Sequence, residues 1–223
     1  LFADDNTGFF KVKQLNDATS KYPDGFSALH QGFAGKQYIM GVDPARTSDR
    51  FAICLVEVGS PSKIVLAWTC QNKKFSETTS KIRDLIRKFN VVGIGMDSQG
   101  GGVSICEELG DPTRLKEGEI PIYIAIDEDE PRLTDDMQGE HIIRMVNFAD
   151  AQWTNDANHG LRKDLEDQVI IFPYLDSMAM GLAIEEDKIA GRIKMNPEDD
   201  SLEKLYDTLE DASFEIEELK NEL

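Results

Sequence analysis

Two aspartates stand out by where they fall. Asp43 follows the apolar run at 38–42 and Asp97 follows the run at 91–96. Each is succeeded by chain-breaking residues, Pro44 in one case and Gly100, Gly101 and Gly102 in the other. A carboxylate at the end of a buried strand leaves the sheet and faces solvent or ligand. If the two strands are parallel neighbours, both carboxylates emerge at the same end. Two ionised carboxylates at close quarters repel, and a divalent cation relieves the repulsion. Hard oxygen ligands select Mg²⁺ or Mn²⁺. Two such ions about 3.5–4 Å apart can activate water and stabilise the leaving oxygen in phosphodiester hydrolysis. Either aspartate alone reads first as an Asx-turn or a helix N-cap. The pair, set 54 positions apart in this element order, points to metal chemistry.

The elements that must position the pair can be read from the hydrophobic pattern. Residues 38–42 (YIMGV), 51–58 and 63–69 (KIVLAWT) are three apolar runs joined by short turns, which predicts an antiparallel meander. A helix follows, with Ser76 as its expected N-cap and Ile82, Leu85, Ile86 and Phe89 on one face. Residues 91–96 (VVGIGM) form a fourth strand, 103–109 a second helix and 120–126 a fifth strand. The order β-β-β-α-β-α-β predicts an α/β fold, a mixed sheet with helices on it. Beyond residue 130 the expectation is a helix at 139–153, a helix at 161–168, a short strand at 169–172, a hairpin formed by 178–184 and 188–195, and a long acidic helix at 201–223. Residues 1–36 are turn-rich and read as a lead-in segment, with residues 37–223 forming the domain.

Composition narrows the function classes. Of 223 residues, 42 are Asp or Glu and 24 are Lys or Arg, a formal net charge of −18. The charge is uneven: residues 1–100 carry a net +3 and residues 101–223 a net −21. An acidic whole argues against nucleic-acid binding over the entire surface, while leaving room for a local basic site. No apolar run approaches the roughly 18–20 residues a bilayer-spanning helix needs. Cys54, Cys70 and Cys106 are odd in number and widely spaced, which excludes a disulfide framework and suits a reducing, cytosolic compartment. The chain begins with Leu and reads as a fragment of something longer.

Two local strings carry a resemblance. Gly41-Val42-Asp43-Pro44-Ala45, then Thr47-Ser48-Asp49 leading into Phe51-Ala52-Ile53, resembles the first motif of the nuclease domain of tailed-phage large terminase subunits, within the RNase H-like (retroviral-integrase) superfamily. Gly95-Met96-Asp97-Ser98-Gln99-Gly100-Gly101-Gly102 resembles their second motif, and Phe9-Phe10 resembles an aromatic pair in the lead-in. The resemblance covers roughly residues 8–175. It implies an RNase H-like mixed sheet of strand order 3-2-1-4-5 and a Mg²⁺- or Mn²⁺-dependent endonuclease that cuts concatemeric viral DNA during packaging. Asp43 and Asp97 would be catalytic metal ligands and Asp49 a supporting residue. The implied partners are duplex DNA, an ATPase motor domain, the small terminase and the portal, in the cytoplasm of an infected bacterium. The Gly-rich turn could place N–H groups near a phosphate, or be a plain strand-to-helix turn.

The resemblance has two departures. The family's third carboxylate sits in an Asp-rich motif on a C-terminal helix. The nearest string here is Asp207-Thr208-Leu209-Glu210-Asp211-Ala212, which makes Asp211 the candidate, and the expectation is that the chain ends before that motif. There is also no GxxxxGK[ST] string, so the motor is expected upstream in the parent protein.

The remaining candidates have bland readings. His141 and His159 could be a base or a ligand but are more often ordinary polar residues. Trp68 and Trp153 read as packing, and the acidic groups at 127–130 and 185–187 as solvated loops. Ser104 and Cys106 lack any nucleophile signature. For DNA contact the loop arginines Arg46 and Arg50 are the sharper candidates, ahead of Lys73, Lys74, Lys81, Arg83, Arg87 and Lys88, which could simply solvate a helix face. The rival readings are a resolvase or exonuclease of the same fold, and a non-catalytic packaging module that binds a protein partner through its acidic C-terminal region.

Overall fold

The computed structural model describes residues 8–20, 25–44, 50–71, 74–99 and 101–223. The lead-in holds one short helix, α1 (Val12–Asp17). Three strands follow: β1 (Tyr38–Asp43), β2 (Phe51–Glu57) and β3 (Ser62–Cys70). Next come α2 (Phe75–Lys88), β4 (Val91–Asp97) and α3 (Gly102–Gly110), as the apolar periodicity predicts. After a 3₁₀ turn at Pro112–Arg114 come β5 (Ile122–Ile124), β6 (Glu140–Val146) and α4 (Ala151–Glu166). The chain continues through β7 (Ile170–Ile171), α5 (Ser177–Ile189), β8 (Ile193–Met195), β9 (Leu202–Lys204) and α6 (Leu209–Glu222).

Seven strands form one mixed sheet in the order β5-β6-β4-β1-β2-β3-β7. The expected 3-2-1-4 succession is present, but the fifth place belongs to β6, and the strand at 122–124 lies outside it at the edge. The cause is a strand where the sequence reads as a helix. The segment His141-Ile142-Ile143-Arg144-Met145-Val146 lies between two parallel neighbours, β4 and β5, and Ile143 is fully buried. Its short apolar run, Ile142-Ile143 and Met145-Val146 about Arg144, cannot be told from a helix by period.

Two further expectations are corrected. Residues 177–189 are helical, where a hairpin strand was expected. Asp176 caps this helix by accepting from the Ala179 N–H at 2.8 Å, and a side-chain cap of that kind fixes a helix start. The hairpin forms later, between β8 and β9. Residues 202–204 therefore belong to a strand, and α6 starts at Leu209 behind the N-cap Thr208.

The described chain divides into two compact units. One comprises Gln31–Leu55 and Thr69–Asp156 and contains both strand-end aspartates. Its core is Tyr38, Met40, Val42, Phe51, Ile53, Ile82, Leu85, Phe89, Ile94, Met96, Ile105, Leu109 and Ile143. Burying such side chains contributes about 1.5–3 kcal/mol each relative to exposure. Helix α2 is amphipathic, its acidic first turn and basic last turn complement the helix dipole, and Glu77 accepts from the Lys74 N–H at 2.9 Å. Helix α3 packs on the same sheet face, with the Cys106 thiol against the sulfurs of Met96 and Met145. The other unit comprises residues up to His30, Val56–Trp68 and Ala157–Leu223. There Phe172 of the segment after β7 bonds back to Ala18 and Ser20, and Phe9 packs edge-on against Phe10 and His159.

Candidate metal centre

Parallel pairing brings the aspartates together. Strands β1 and β4 are matched Gly41 to Gly95 and Val42 to Met96, and one residue further on stand Asp43 and Asp97. In β1 the buried residues are Tyr38, Met40 and Val42, and the exposed ones are Ile39, Gly41 and Asp43. In β4, Ile94 and Met96 are buried on the helix side. Alternation therefore places Gly95 and Asp97 on the face of Gly41 and Asp43. A Cβ built on Gly41, Gly93 or Gly95 would meet nothing within 4 Å, so the floor leading to the two carboxylates is clear of side chains.

Asp97 is held firmly. It is 7% exposed, and its Oδ1 accepts from the N–H groups of Gln99 at 3.2 Å and Phe148 at 3.4 Å. The Gln99 contact is the Asx-turn that an aspartate here suggests. The Phe148 contact comes from 51 residues away and clamps the same oxygen. Oδ2 takes no hydrogen bond from the described residues. Asp97 does not cap α3, whose N-cap is Gly101. A carboxylate with one oxygen anchored and the other available suits metal ligation, as does the exposed carboxylate of Asp43 one strand away.

The Gly-rich turn is explained by packing. Gly101 has φ +115, and a Cβ there would stand 2.2 Å from the Phe75 ring. A Cβ on Gly102 would lie 1.9 Å from the Asp97 carbonyl oxygen, and the Gly102 N–H already donates to Gln99 at 3.1 Å. These glycines let α3 begin directly against the strand end that carries Asp97.

Three residues around Asp97, namely Arg144, Asn147 and Phe148, escape the sequence reading because the segment of β6 reads as helix. Arg144 pairs in register with Gly95, on the face of the two aspartates. It is exposed and makes no ion pair with any described residue. The Asn147 side chain accepts from Gln99 Nε2 at 3.4 Å and from the Ala149 N–H at 3.0 Å, shaping the turn that aims the Phe148 N–H at Asp97. A β-branched pair, Ile142-Ile143, ahead of Asn147 was the available signal for a strand end.

Other candidates separate cleanly. Arg46 and Asp49, with the rest of 45–49, lie outside the described residues, as do Lys73 and Gly100. Arg50 is exposed at the start of β2. Arg83 is 6% exposed and donates to the carbonyls of Glu108 and Leu109, so it is a structural cation and no DNA contact. Arg87 bonds Glu119 and Asp84, and Lys88 pairs with Asp84 at 2.8 Å. Asp211 is occupied twice over, by Lys204 Nζ at 2.6 Å and by the Thr208 hydroxyl at 2.7 Å. Both ring nitrogens of His141 lie near carbonyl oxygens, of Ile124 and Met137, and the ring of His159 packs on Phe9. Trp153 stacks on Phe148. Asp127 accepts from the Asp129 N–H in a solvated turn, but Asp187 is fully buried, contrary to the loop reading. Among the described residues no three His, Cys, Asp or Glu side chains form a metal-sized group, and no helix is long and apolar enough to cross a membrane.

Residues 40–113 match the terminase RNaseH-like domain family. The large terminase nuclease from thermophilic phage G20c superposes with a TM-score of 0.50 at 12% identity, covering 91% of this chain and 92% of that one. The same nuclease with bound magnesium gives the same score and identity, covering 91% and 93%. No curated protein sequence matches the chain. The segment from β1 through α3, with both strand-end aspartates, thus resembles the terminase RNaseH-like domain, and the chain has the RNase H-like fold of a phage large-terminase nuclease.

Proposed function

We propose that this chain is a divalent-metal-dependent endonuclease domain that cuts viral duplex DNA during genome packaging, with Asp43 and Asp97 as its catalytic metal ligands. The observation that carries the reading is the parallel β1–β4 pairing, which ends both strands in a carboxylate on one clear sheet face, inside the segment that matches the terminase family. The donor set fits Mg²⁺ or Mn²⁺: all-oxygen, anionic, with Asp97 Oδ1 fixed by two N–H donors and Oδ2 left to ligate. When bound, the metal supplies activation of the attacking water and stabilisation of the leaving oxygen. The chain's residues supply the rest. Gly41 and Gly95 leave room for the phosphodiester backbone to approach. The Arg144 guanidinium can bind a phosphate next to the one being cut, Arg50, exposed just before β2, adds positive charge, and Arg46, three positions after Asp43 in the sequence, is a further candidate for DNA contact. An ATPase motor, a small terminase and a portal are the partners this reading implies.

Plasmid nicking with Mg²⁺ or Mn²⁺ tests it. Cleavage is expected from the unchanged chain and is expected to fall by at least about a hundredfold in Asp43→Asn and in Asp97→Asn, since each removes a ligand charge. Undiminished cleavage by both variants would remove these residues from the chemistry. Metal-independent DNA binding without cleavage, unchanged by either substitution, would favour a non-catalytic packaging module.

A further inference from the structure

Helix α2 presents Ser76, Thr79, Ser80 and Arg83 along one line, at i, i+3, i+4 and i+7, with Thr79 and Arg83 buried and Ser76 and Ser80 exposed at the rim of a cleft. Opposite them stand Glu108 near the end of α3 and Arg114, Lys116 and Glu119 of the following turn. Together they line a cleft of about 200 Å³ in the helix layer, on the side of the sheet away from Asp43.

The charges at its base are already matched. Arg83 bonds the carbonyls at the end of α3 and pairs with Glu119, which also holds Arg87 and accepts from the Lys116 N–H at 2.9 Å. The charges at its mouth are not. Lys116 Nζ has no ion pair among the described residues, and the Arg114 guanidinium has only a long contact to Asp111, at 3.8 Å. Glu108 is the one acid on the wall without a cationic partner there.

The hydroxyls point the same way. Thr78 and Ser80 satisfy theirs by donating back to the Phe75 and Ser76 carbonyls. Thr79 does not: it is 4% exposed, and its Oγ1 has no hydrogen-bond partner among the described residues. A buried hydroxyl left unbonded is destabilising, and its place on the wall of a polar cleft supplies the remedy. The cleft also opens beside the N-terminal turns of a 14-residue helix, the positive end of its dipole.

We infer that this cleft binds a phosphoryl group, with Thr79 and Ser76 as hydroxyl partners and Arg114 and Lys116 as cations. Two cations against one acid, hydroxyl donors on the opposite wall and a volume that admits a phosphate with part of its substituent match a tetrahedral oxyanion better than a cation or an apolar ligand. The phosphoryl group can come from a DNA backbone or from a soluble phosphate ester.

The test is titration calorimetry and thermal unfolding of the whole chain with inorganic phosphate, against chloride at equal ionic strength. Phosphate is expected to bind at one site and raise Tm. The double variant Arg114→Ala/Lys116→Ala, which changes exposed side chains, is expected to lose about tenfold or more in affinity. Thr79→Val keeps the shape and removes the hydroxyl. It is expected to weaken binding while leaving phosphate-free Tm unchanged or raised. Phosphate no better than chloride, or equal binding by the double variant, would overturn the inference. A labelled duplex in metal-free buffer identifies the source. Duplex binding that phosphate competes away and the double variant weakens assigns a backbone phosphate, and duplex binding blind to both assigns a soluble ester. Nicking by the double variant reads separately on Asp43 and Asp97, so this site and the nuclease can fail independently.

Discussion

At the scale of single residues, the site is a matter of which atoms are tied and which are left. Asp97 has one oxygen anchored by two N–H donors, a preorganisation that would lower the cost of orienting it towards the proposed metal. Arg144 is the residue the structure adds. Its place beside Gly95 puts a positive charge on the face that DNA would approach in the proposed function. Arg144→Ala is expected to weaken duplex binding evenly across sequences and to lower the salt slope by about one, as loss of one phosphate contact does. Fluorescence anisotropy over a salt series measures this, and an unchanged slope would clear Arg144 of any phosphate contact. Asp43 and Asp97 were readable in the sequence because strand ends are marked by composition. Arg144 and the Phe148 N–H were not, since their role depends on a strand that periodicity does not reveal.

At the scale of elements, the acidic C-terminal region is organised by two carboxylates with structural work. Asp187 of α5 is fully buried, bonds Arg192 Nε at 2.5 Å and accepts from the Leu209 N–H at the start of α6. Asp187→Ala strands a half-buried guanidinium and an orphaned helix N–H, and is expected to cost about 3–5 kcal/mol in a denaturant titration. A loss within the error of that titration would mean that α5 and α6 are joined by packing alone. Asp211 caps α6. Partial burial opposes its ionisation, but the Lys204 and Thr208 hydrogen bonds outweigh it and hold the carboxyl below its ordinary 3.8. A carboxyl lowered on folding stabilises fully above the unfolded value and loses that stabilisation as pH falls through the folded one. The Tm difference between the unchanged chain and Asp211→Asn is therefore expected to be largest above about pH 5 and to close towards pH 3. A difference independent of pH would assign the cap to geometry alone. The charge run at 185–187 read as solvated because nothing in a sequence says that one acid of three turns inward.

At the scale of the whole molecule, the charge distribution and the thiols report on the fold. If a chain of net −18 is to bind DNA, as the proposed function requires, it must do so through a local field: Gly41, Asp43, Gly95 and Asp97 come from the half of net +3, and Arg144 is a cation supplied by the half of net −21. Burial pushes the Cys54 thiol of β2 and the Cys106 thiol of α3 up to about 12, with Glu107 adding to the latter. Neither forms thiolate at ordinary pH, so both are expected to resist alkylation at about pH 8 in the native chain and to react once denaturant is added. Mass spectrometry counts the labels, and rapid native labelling of Cys54 or Cys106 would show that the unit holding β1, β4 and α3 opens readily.

The strand-strand-strand-helix-strand-helix order, the two aspartates and the glycines behind Asp97 are legible along the chain. These follow from local physics: apolar runs of strand length, a helical period in α2 and residues that break a chain. Tertiary structure decided the rest. Whether Asp43 and Asp97 meet depends on β1 pairing parallel with β4, a contact between segments more than fifty residues apart. The insertion of β6 beside β4, and with it Arg144, Asn147 and the Phe148 N–H, depends on a strand whose short apolar run does not distinguish strand from helix. Asp187 and Arg83 turned inward because partners from distant elements were there to receive them, and no spacing along the chain encodes such a meeting.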